Sequence, residues 1–346
     1  MKAIKKMDHG HGHLALVETD EPAVRPGTLK IKVEACGICG SDLHIVEGFE
    51  PPGISYPFPV TLGHEYSGTV VEVGEGVTNF SVGDRVTSNV STGFCGKCYM
   101  CLSGNYYACP TNRNMGYECD GFMQEYVVVD AGIAFKLPES ISFEEGAQVE
   151  PICVAAFAVF EKASLKPNDV CVIMGAGTIG LLALQLVKLC GAKAIVVDLS
   201  SAANRLELAK EFGADLVLEN DKTEAIAEVK KFTRGLGADY VFECTAAEVC
   251  INQSLLMLRR LGTLIELGIT DPAGTTLKYF LFDILAGHNI VCSFGHRLHT
   301  WPRAIGLLAE GKVRVREMIT HRFPFESYDE AFNLKDPNKL KVLLIP

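Results

Sequence analysis

Hydrophobic positions along the chain follow two different rhythms. Up to about residue 150 they come in short runs rich in β-branched residues, Leu29–Ala35, Tyr66–Val73 and Glu125–Val129, cut by Gly, Pro and Asp. That pattern predicts a β-rich region, with Glu50–Pro59 as loop. After Pro151, apolar runs alternate with amphipathic stretches. Strands are predicted at Val170–Met174, Ala194–Asp198, Asp215–Leu218, Tyr240–Glu243, Thr263–Leu267 and Ile290–Phe294, with helices between them. This is the inventory of a doubly wound parallel sheet built from βαβ units. Val170 to Val187 is nearly free of polar groups and approaches a membrane span in length, but its clustered glycines divide it into strand, turn and helix. The C-terminal stretch holds one helix, Thr300–Glu310, and a strand, Lys341–Ile345, that needs neighbours from the N-terminal region. The chain is therefore expected to cross back.

Composition narrows the classes of partner. Thirty-two Lys plus Arg against 42 Asp plus Glu give a net charge of −10, with no basic stripe, which argues against nucleic acid and anionic lipid. Of the 346 residues 48% are apolar and 33 are glycine, as in an enzyme-sized globule of two domains. Thirteen cysteines, four of them within Cys95–Cys109, suit thiolate metal sites in a reducing compartment better than a disulfide framework. The start, MKAIKKMDHGHGH, has charges but no apolar run behind them, so no secretory signal is read and a cytoplasmic location is expected.

Cys95-x2-Cys98-x2-Cys101-x7-Cys109 carries the strongest chemical signal. Glycines at 93, 96 and 104 let the loop curl so that four sulfurs converge on a closed, structural zinc site with no position for water; an iron–sulfur cluster and packed core cysteines are the alternatives. A second constellation is Cys39 in CGICGSD, His64 and Glu65 in Gly-His-Glu, and Glu150 in Glu-Pro. Mixed S, N and O ligands are what a catalytic zinc uses when one position stays open, although each fragment alone is common. Gly175-Ala176-Gly177-Thr178-Ile179-Gly180 follows a predicted strand and opens a helix, and Asp198 ends the next strand. In that context the glycines admit a pyrophosphate to the helix N-terminus and the carboxylate accepts from ribose hydroxyls. His44 could carry a proton between the site and solvent, with Ser41 as the first hydroxyl of the relay; a solvent-exposed histidine and an N-cap serine are the plainer readings. His9, His11 and His13 read as a hairpin turn, and His321 with Arg322 as strand-edge residues.

Taken together, these residues resemble the zinc-containing medium-chain alcohol dehydrogenase family along essentially the whole chain. GHEYSGTVVEVGEGV, VGDRV, the four-cysteine lobe and GAGTIG are successive landmarks. Glu150-Pro151, Phe242-Glu243-Cys244-Thr245, Thr300-Trp301-Pro302 and Thr320-His321-Arg322-Phe323-Pro324 resemble its polyol branch, the sorbitol or L-iditol dehydrogenases. The resemblance implies an α/β chain: a GroES-like β-rich catalytic domain, 1–150 and 296–346, and a Rossmann doubly wound domain, 151–295, with the cleft between them. It implies two zinc ions, NAD, and a homotetramer or homodimer. Residue by residue, it makes Cys39, His64 and Glu65 the catalytic zinc shell, with Glu150 able to replace Glu65 or a water, and Ser41 and His44 the proton path.

This sequence departs from the branch at Ile45, where an aromatic residue is usual, and at His296-Arg297, which replace an arginine-tyrosine pair. The arginine expected about five residues after the ribose-binding Asp198 comes only at Arg205. Specificity is therefore less constrained than reaction class. The expected reaction is hydride transfer from a secondary alcohol, a polyol or sugar alcohol, to NAD, with His296, Arg297 and His299 near the substrate. A phosphorylated polyol, threonine or butanediol are the alternative substrates, and a non-catalytic zinc-stabilised binding protein the alternative of another class.

Overall fold

A computed structural model describes residues 1–50, 56–269, 274–278 and 285–346, so residues 51–55 of the loop expected at Glu50–Pro59 lie outside the described residues. The chain divides into two compact units. One comprises Met1–Cys153, His296–Lys335 and Lys341–Pro346; the other comprises Val154–Gly295 and Asp336–Leu340.

The first unit is organised around the strand Thr28–Ile38. Its first half alternates, with Leu29, Ile31 and Val33 inside and Lys30, Lys32 and Glu34 turned outward, the period of a half-buried strand. From Ala35 onward every residue is buried. It pairs antiparallel with Glu65–Val73 and with Tyr126–Asp130. The returning strand Lys341–Ile345 also lies antiparallel against it, so the chain crosses back within this unit. These strands belong to a seven-stranded sheet that includes Arg85–Ser88, Ala134–Lys136 and, at its edge, Ile319–Pro324. Lys2–Lys6 and Leu14–Glu18 form a hairpin around the histidine-glycine turn.

Register fixes what meets at the buried end of Thr28–Ile38. Gly37 stands opposite Glu65, Cys36 opposite both Tyr66 and Leu344, and Ile38 opposite Val342. Gly37 is required there, because a Cβ would lie 2.1 Å from Glu65 Oε2. The chain then turns at Cys39 into the helix Gly40–Glu47, which ends on Gly48 in the left-handed region, φ 90°.

The second unit is a six-stranded parallel sheet in the order Leu216–Glu219, Lys193–Asp198, Val170–Met174, Ala238–Glu243, Leu258–Glu266, Asn289–Cys292. Chain order reverses direction between Val170–Met174 and Ala238–Glu243, which is the switch point of a doubly wound fold. The central strand Val170–Met174 is apolar throughout because both its faces are covered: Cys171, Val172, Ile173 and Met174 are all at most 1% exposed. The long apolar run of the sequence resolves into the strand Val170–Met174 and the 12-residue helix Thr178–Leu189, buried from Gly180 to Val187. No described helix is long and apolar enough to cross a membrane. The strand expected at Thr263–Leu267 starts earlier, at Leu258, with a register shift between its pairs with Ala238 and Tyr240, in the stretch where Leu261 takes a left-handed φ of 60°.

Leu343, fully buried against Ala35, Ala147 and Ile319, ties the returning strand into the first unit. Leu343→Ala should lower unfolding free energy by about 2–5 kcal/mol, read as a lower denaturant midpoint at unchanged slope.

Candidate functional site

The four-cysteine loop converges as its spacing predicts. Sulfur separations are 4.0 Å for Cys95–Cys101, 3.6 Å for Cys98–Cys101, 3.8 Å for Cys98–Cys109 and 3.7 Å for Cys95–Cys109. A tetrahedron with zinc–sulfur bonds of about 2.3 Å has edges of about 3.8 Å, whereas a disulfide would bring sulfurs to about 2.05 Å. All thirteen cysteines are free. Gly93, Gly96 and Gly104 take φ of 69°, 71° and 76°, the left-handed turns that fold the loop inward. Backbone N–H groups of Cys95, Cys98 and Cys101 donate to Cys109, Cys95 and Cys98 sulfurs. The Thr111 hydroxyl, followed by that Cys95 N–H, pulls the Cys109 thiol down to about 5, so that sulfur favours the thiolate, whereas burial pushes Cys101 up to about 12.

The second constellation also assembles. Ligand atoms of Cys39, His64 and Glu65 all lie within 4.8 Å of one another. Asp42 Oδ1 lies 3.5 Å from His64 Nδ1, an ion-pair distance at which this buried nitrogen makes no hydrogen bond. Asp42 is itself fully buried and accepts from the N–H groups of Cys39 at 2.9 Å and Gly63 at 3.2 Å. With Nδ1 facing that carboxylate, Nε2 is the nitrogen left for a metal. Both Glu65 oxygens are held by Lys341 Nζ, at 2.7 and 2.6 Å.

Glu150 is not part of that group of three. Its Oε1 meets His296 Nε2 at 3.0 Å, and Trp301 Nε1–H donates to His296 Nδ1 at 3.3 Å. The indole therefore fixes the tautomer in which His296 Nε2–H donates to the carboxylate. Burial pushes the Glu150 carboxyl up, but His296, His64 and Lys341 together hold it below the ordinary range. Arg297 turns elsewhere: its Nε donates to Asn105 of the cysteine lobe at 3.0 Å, while His299 is exposed.

Ser41 Oγ–H donates to Cys39 Sγ at 3.2 Å, and the buried Nδ1 of His44 has no hydrogen-bond partner. Tyr117 completes this corner. Its ring centroid lies 5.2 Å from that of His64, Ser41 stands beside its hydroxyl, and burial pushes its phenol above the ordinary value.

Sequence motifs give no role to Asp42, Tyr117, Lys341 or Trp301, although Asp42 lies within CGICGSD and Trp301 within Thr300-Trp301-Pro302. Asp42 left a signal, a carboxylate three residues past Cys39 at the start of a helix, and Lys341 another, a lysine in an otherwise apolar strand. Tyr117 left none.

In the second unit, Gly175 takes φ 96°, and a Cβ on Gly180 would lie 1.9 Å from Gly175 O, so turn and helix approach closely. Gly177 has open space around its Cβ position, and the helix Thr178–Leu189 that it precedes has no side-chain cap. Free N–H groups facing open space at a helix N-terminus fit a pyrophosphate. Asp198 Oδ2 accepts from Ala176 N at 2.7 Å and pairs with Arg205 Nη2 at 3.3 Å.

Known proteins match this arrangement from end to end. Residues 25–139 match the alcohol dehydrogenase GroES-like domain, and residues 178–310 the zinc-binding dehydrogenase domain. The chain is 37% identical over 348 residues to sorbitol dehydrogenase of Halalkalibacterium halodurans, covering 100% of this chain and 99% of the relative. It is 35% identical over 347 residues to D-arabitol-phosphate dehydrogenase of Enterococcus avium, covering 99% and 97%. Two similar solved structures are 2R,3R-butanediol dehydrogenase from Bacillus subtilis, with TM-score 0.88 at 33% identity, and a zinc-binding dehydrogenase from Sinorhizobium meliloti bound to NADP, with TM-score 0.90 at 32% identity. Each covers 100% of this chain and 99% of its own.

The two metal groups should differ in how readily they release zinc. A chelator is expected to strip the site of Cys39, His64 and a carboxylate first and the closed four-thiolate site later. Metal analysis against chelation time checks this; simultaneous release from both sites would contradict it.

Proposed function

The chain belongs to the zinc-containing medium-chain alcohol dehydrogenase family, and from that premise we propose that it oxidises a secondary alcohol with a neighbouring hydroxyl, a polyol or sugar alcohol, to the ketone, with NAD as hydride acceptor. The observation that carries this reading is the polar surround of the Cys39–His64–Glu65 group: Ser41, Tyr117 and the Glu150–His296 pair offer partners for several hydroxyls. A pocket for a simple alcohol would be lined by apolar groups.

Zinc supplies Lewis-acid charge neutralisation at the alcohol oxygen and the nicotinamide accepts the hydride. The protein's own groups handle the rest. Ser41 takes the alcohol proton, and His44, with its unpartnered Nδ1, passes it outward. Tyr117 binds the second hydroxyl beside Ser41. Cys95, Cys98, Cys101 and Cys109 hold a second, structural zinc. Gly175, Gly177, Thr178, Ile179 and Gly180 cradle the pyrophosphate, and Asp198 takes the ribose hydroxyls. The Asp198 carboxylate opposes a 2′-phosphate, although Arg205 beside it offsets part of its charge. Free thiols throughout support a reducing, cytoplasmic setting, and a homodimer or homotetramer is the assembly proposed from the family resemblance.

Glu65 and Glu150 act as exchangeable oxygen ligands, with Cys39 and His64 fixed. Each carboxylate already has a partner from the chain, Lys341 for Glu65 and His296 for Glu150, so either can leave the metal without becoming an unpaired buried charge. Glu65→Gln and Glu150→Gln should each retain most of the bound zinc but lose activity. If Glu150→Gln kept full activity and metal while Glu65→Gln lost both, Glu65 alone would be the ligand.

A panel of polyols, polyol phosphates, threonine, butanediol and primary alcohols, each run with NAD and NADP, tests substrate and cofactor together. Polyols with NAD should give the highest kcat/KM. Turnover confined to primary alcohols would end the polyol reading, and preference for phosphate esters would move the substrate to that class. Equal efficiency with NADP would remove the role given to Asp198.

A further inference from the structure

Glu243 and Glu266 are register partners at the carboxyl ends of adjacent parallel strands. Glu243 is fully buried, and its oxygens accept from Thr245 N–H at 3.0 and 3.1 Å, from Ala246 N–H at 2.9 Å and from the Thr245 hydroxyl. These bonds hold a strained turn, since Ala246 has φ 63°, a region costly for a residue with a Cβ. The turn backs the glycine loop. A Cβ on Gly175 would lie 2.7 Å from Thr245 Cγ2, and one on Gly268 would lie 2.5 Å from Ala246 N and 2.7 Å from Glu243 Oε2. All of this sits where the sheet order reverses, the place at which a doubly wound fold binds its ligand.

Glu266 brings a second carboxyl to the first. Two carboxyl groups hydrogen-bond only while one keeps a proton. Burial, then the Glu243 charge and the bond between the two side chains, push the Glu266 carboxyl up to about 8, against the pull of the Gly268 N–H. Its Oε1 is buried without a hydrogen-bond partner. Among the described residues, the other titratable groups around the pair are Cys244, Cys250 on the helix Glu248–Met257, which also feels Asp198, and Cys292, the register partner of Glu266 on the next strand. None of these is a cation.

We propose that Glu266 is a positioning residue for dinucleotide binding. Protonated, it donates to Glu243 and helps hold the Thr245–Ala246 turn against Gly175. Ionised, it repels Glu243, loosens that turn and adds negative charge where an anionic cofactor binds. The proton is released to solvent as pH rises, and by linkage a bound anion and the retained proton favour each other. Affinity is therefore flat below neutrality and weakens above about pH 8, by at most about tenfold per pH unit for one proton. This rests on the reading of the second unit as a nicotinamide-dinucleotide site.

The test is a fluorescence titration of NADH into the full-length enzyme from about pH 6.5 to 9.5, for wild type and Glu266→Gln, whose amide still donates to Glu243 but cannot ionise. Wild-type Kd should rise about tenfold over the alkaline half of the range, and that of E266Q should stay flat. An infrared carbonyl band of a protonated carboxyl should be present in wild type at neutral pH and lost at the alkaline end, a readout that needs neither the variant nor the cofactor. A flat wild-type profile, a parallel decline in E266Q, or absence of that band would overturn the proposal. Failure to bind NADH at any pH would instead refute the dinucleotide reading, and the proposal with it.

Discussion

The buried ion pair between Glu65 and Lys341 is the constraint from which the first unit can be understood. Neither side chain is more than 3% exposed, and the two Lys341–carboxylate contacts are 2.6 and 2.7 Å. Removing one partner of such a pair costs about 3–5 kcal/mol, because the other is left charged in a low-dielectric interior. The pair spans 276 residues of chain, so the C-terminal strand must return and lie against Thr28–Ile38. Once it does, register places Glu65 opposite Gly37, two residues before Cys39, and the metal group follows from the sheet.

A similar logic runs through the other buried carboxylates. Asp42 is satisfied by the N–H groups of Cys39 and Gly63, Glu150 by His296, and Glu243 by Thr245 and Ala246. In each case a charge taken out of water is met by donors aimed by a strand end or a helix start. Those donors fix more than the charge. Asp42 faces His64 Nδ1 at 3.5 Å, Trp301 selects the tautomer of His296, and Glu243 holds a residue with a Cβ in a left-handed turn. Positioning here is a consequence of satisfying buried polar groups.

Arg297 and His296 show how adjacent residues separate in function. The sequence offers both as substrate contacts, yet His296 turns to Glu150 while Arg297 turns to Asn105 in the cysteine lobe. Arg205, similarly, lies beside Asp198 even though it comes later in the sequence than the family pattern suggests.

The sequence alone determined the features that depend on local chemistry. Short β-branched runs marked Leu29–Ala35, continuous apolar runs marked the parallel strands, and glycine spacing marked both the dinucleotide turn and the cysteine loop, because each acts over a few neighbouring residues. Cysteine spacing was enough to foresee four sulfurs at metal distance. Tertiary structure alone decided which distant groups meet: Lys341 with Glu65, His296 with Glu150, Tyr117 with His64, Glu266 with Glu243. Those meetings depend on strand register and the path of the returning chain. No short motif encodes them, and for the strand pairs, Lys341 with Glu65 and Glu266 with Glu243, a one-residue shift in pairing would turn the side chain to the opposite face.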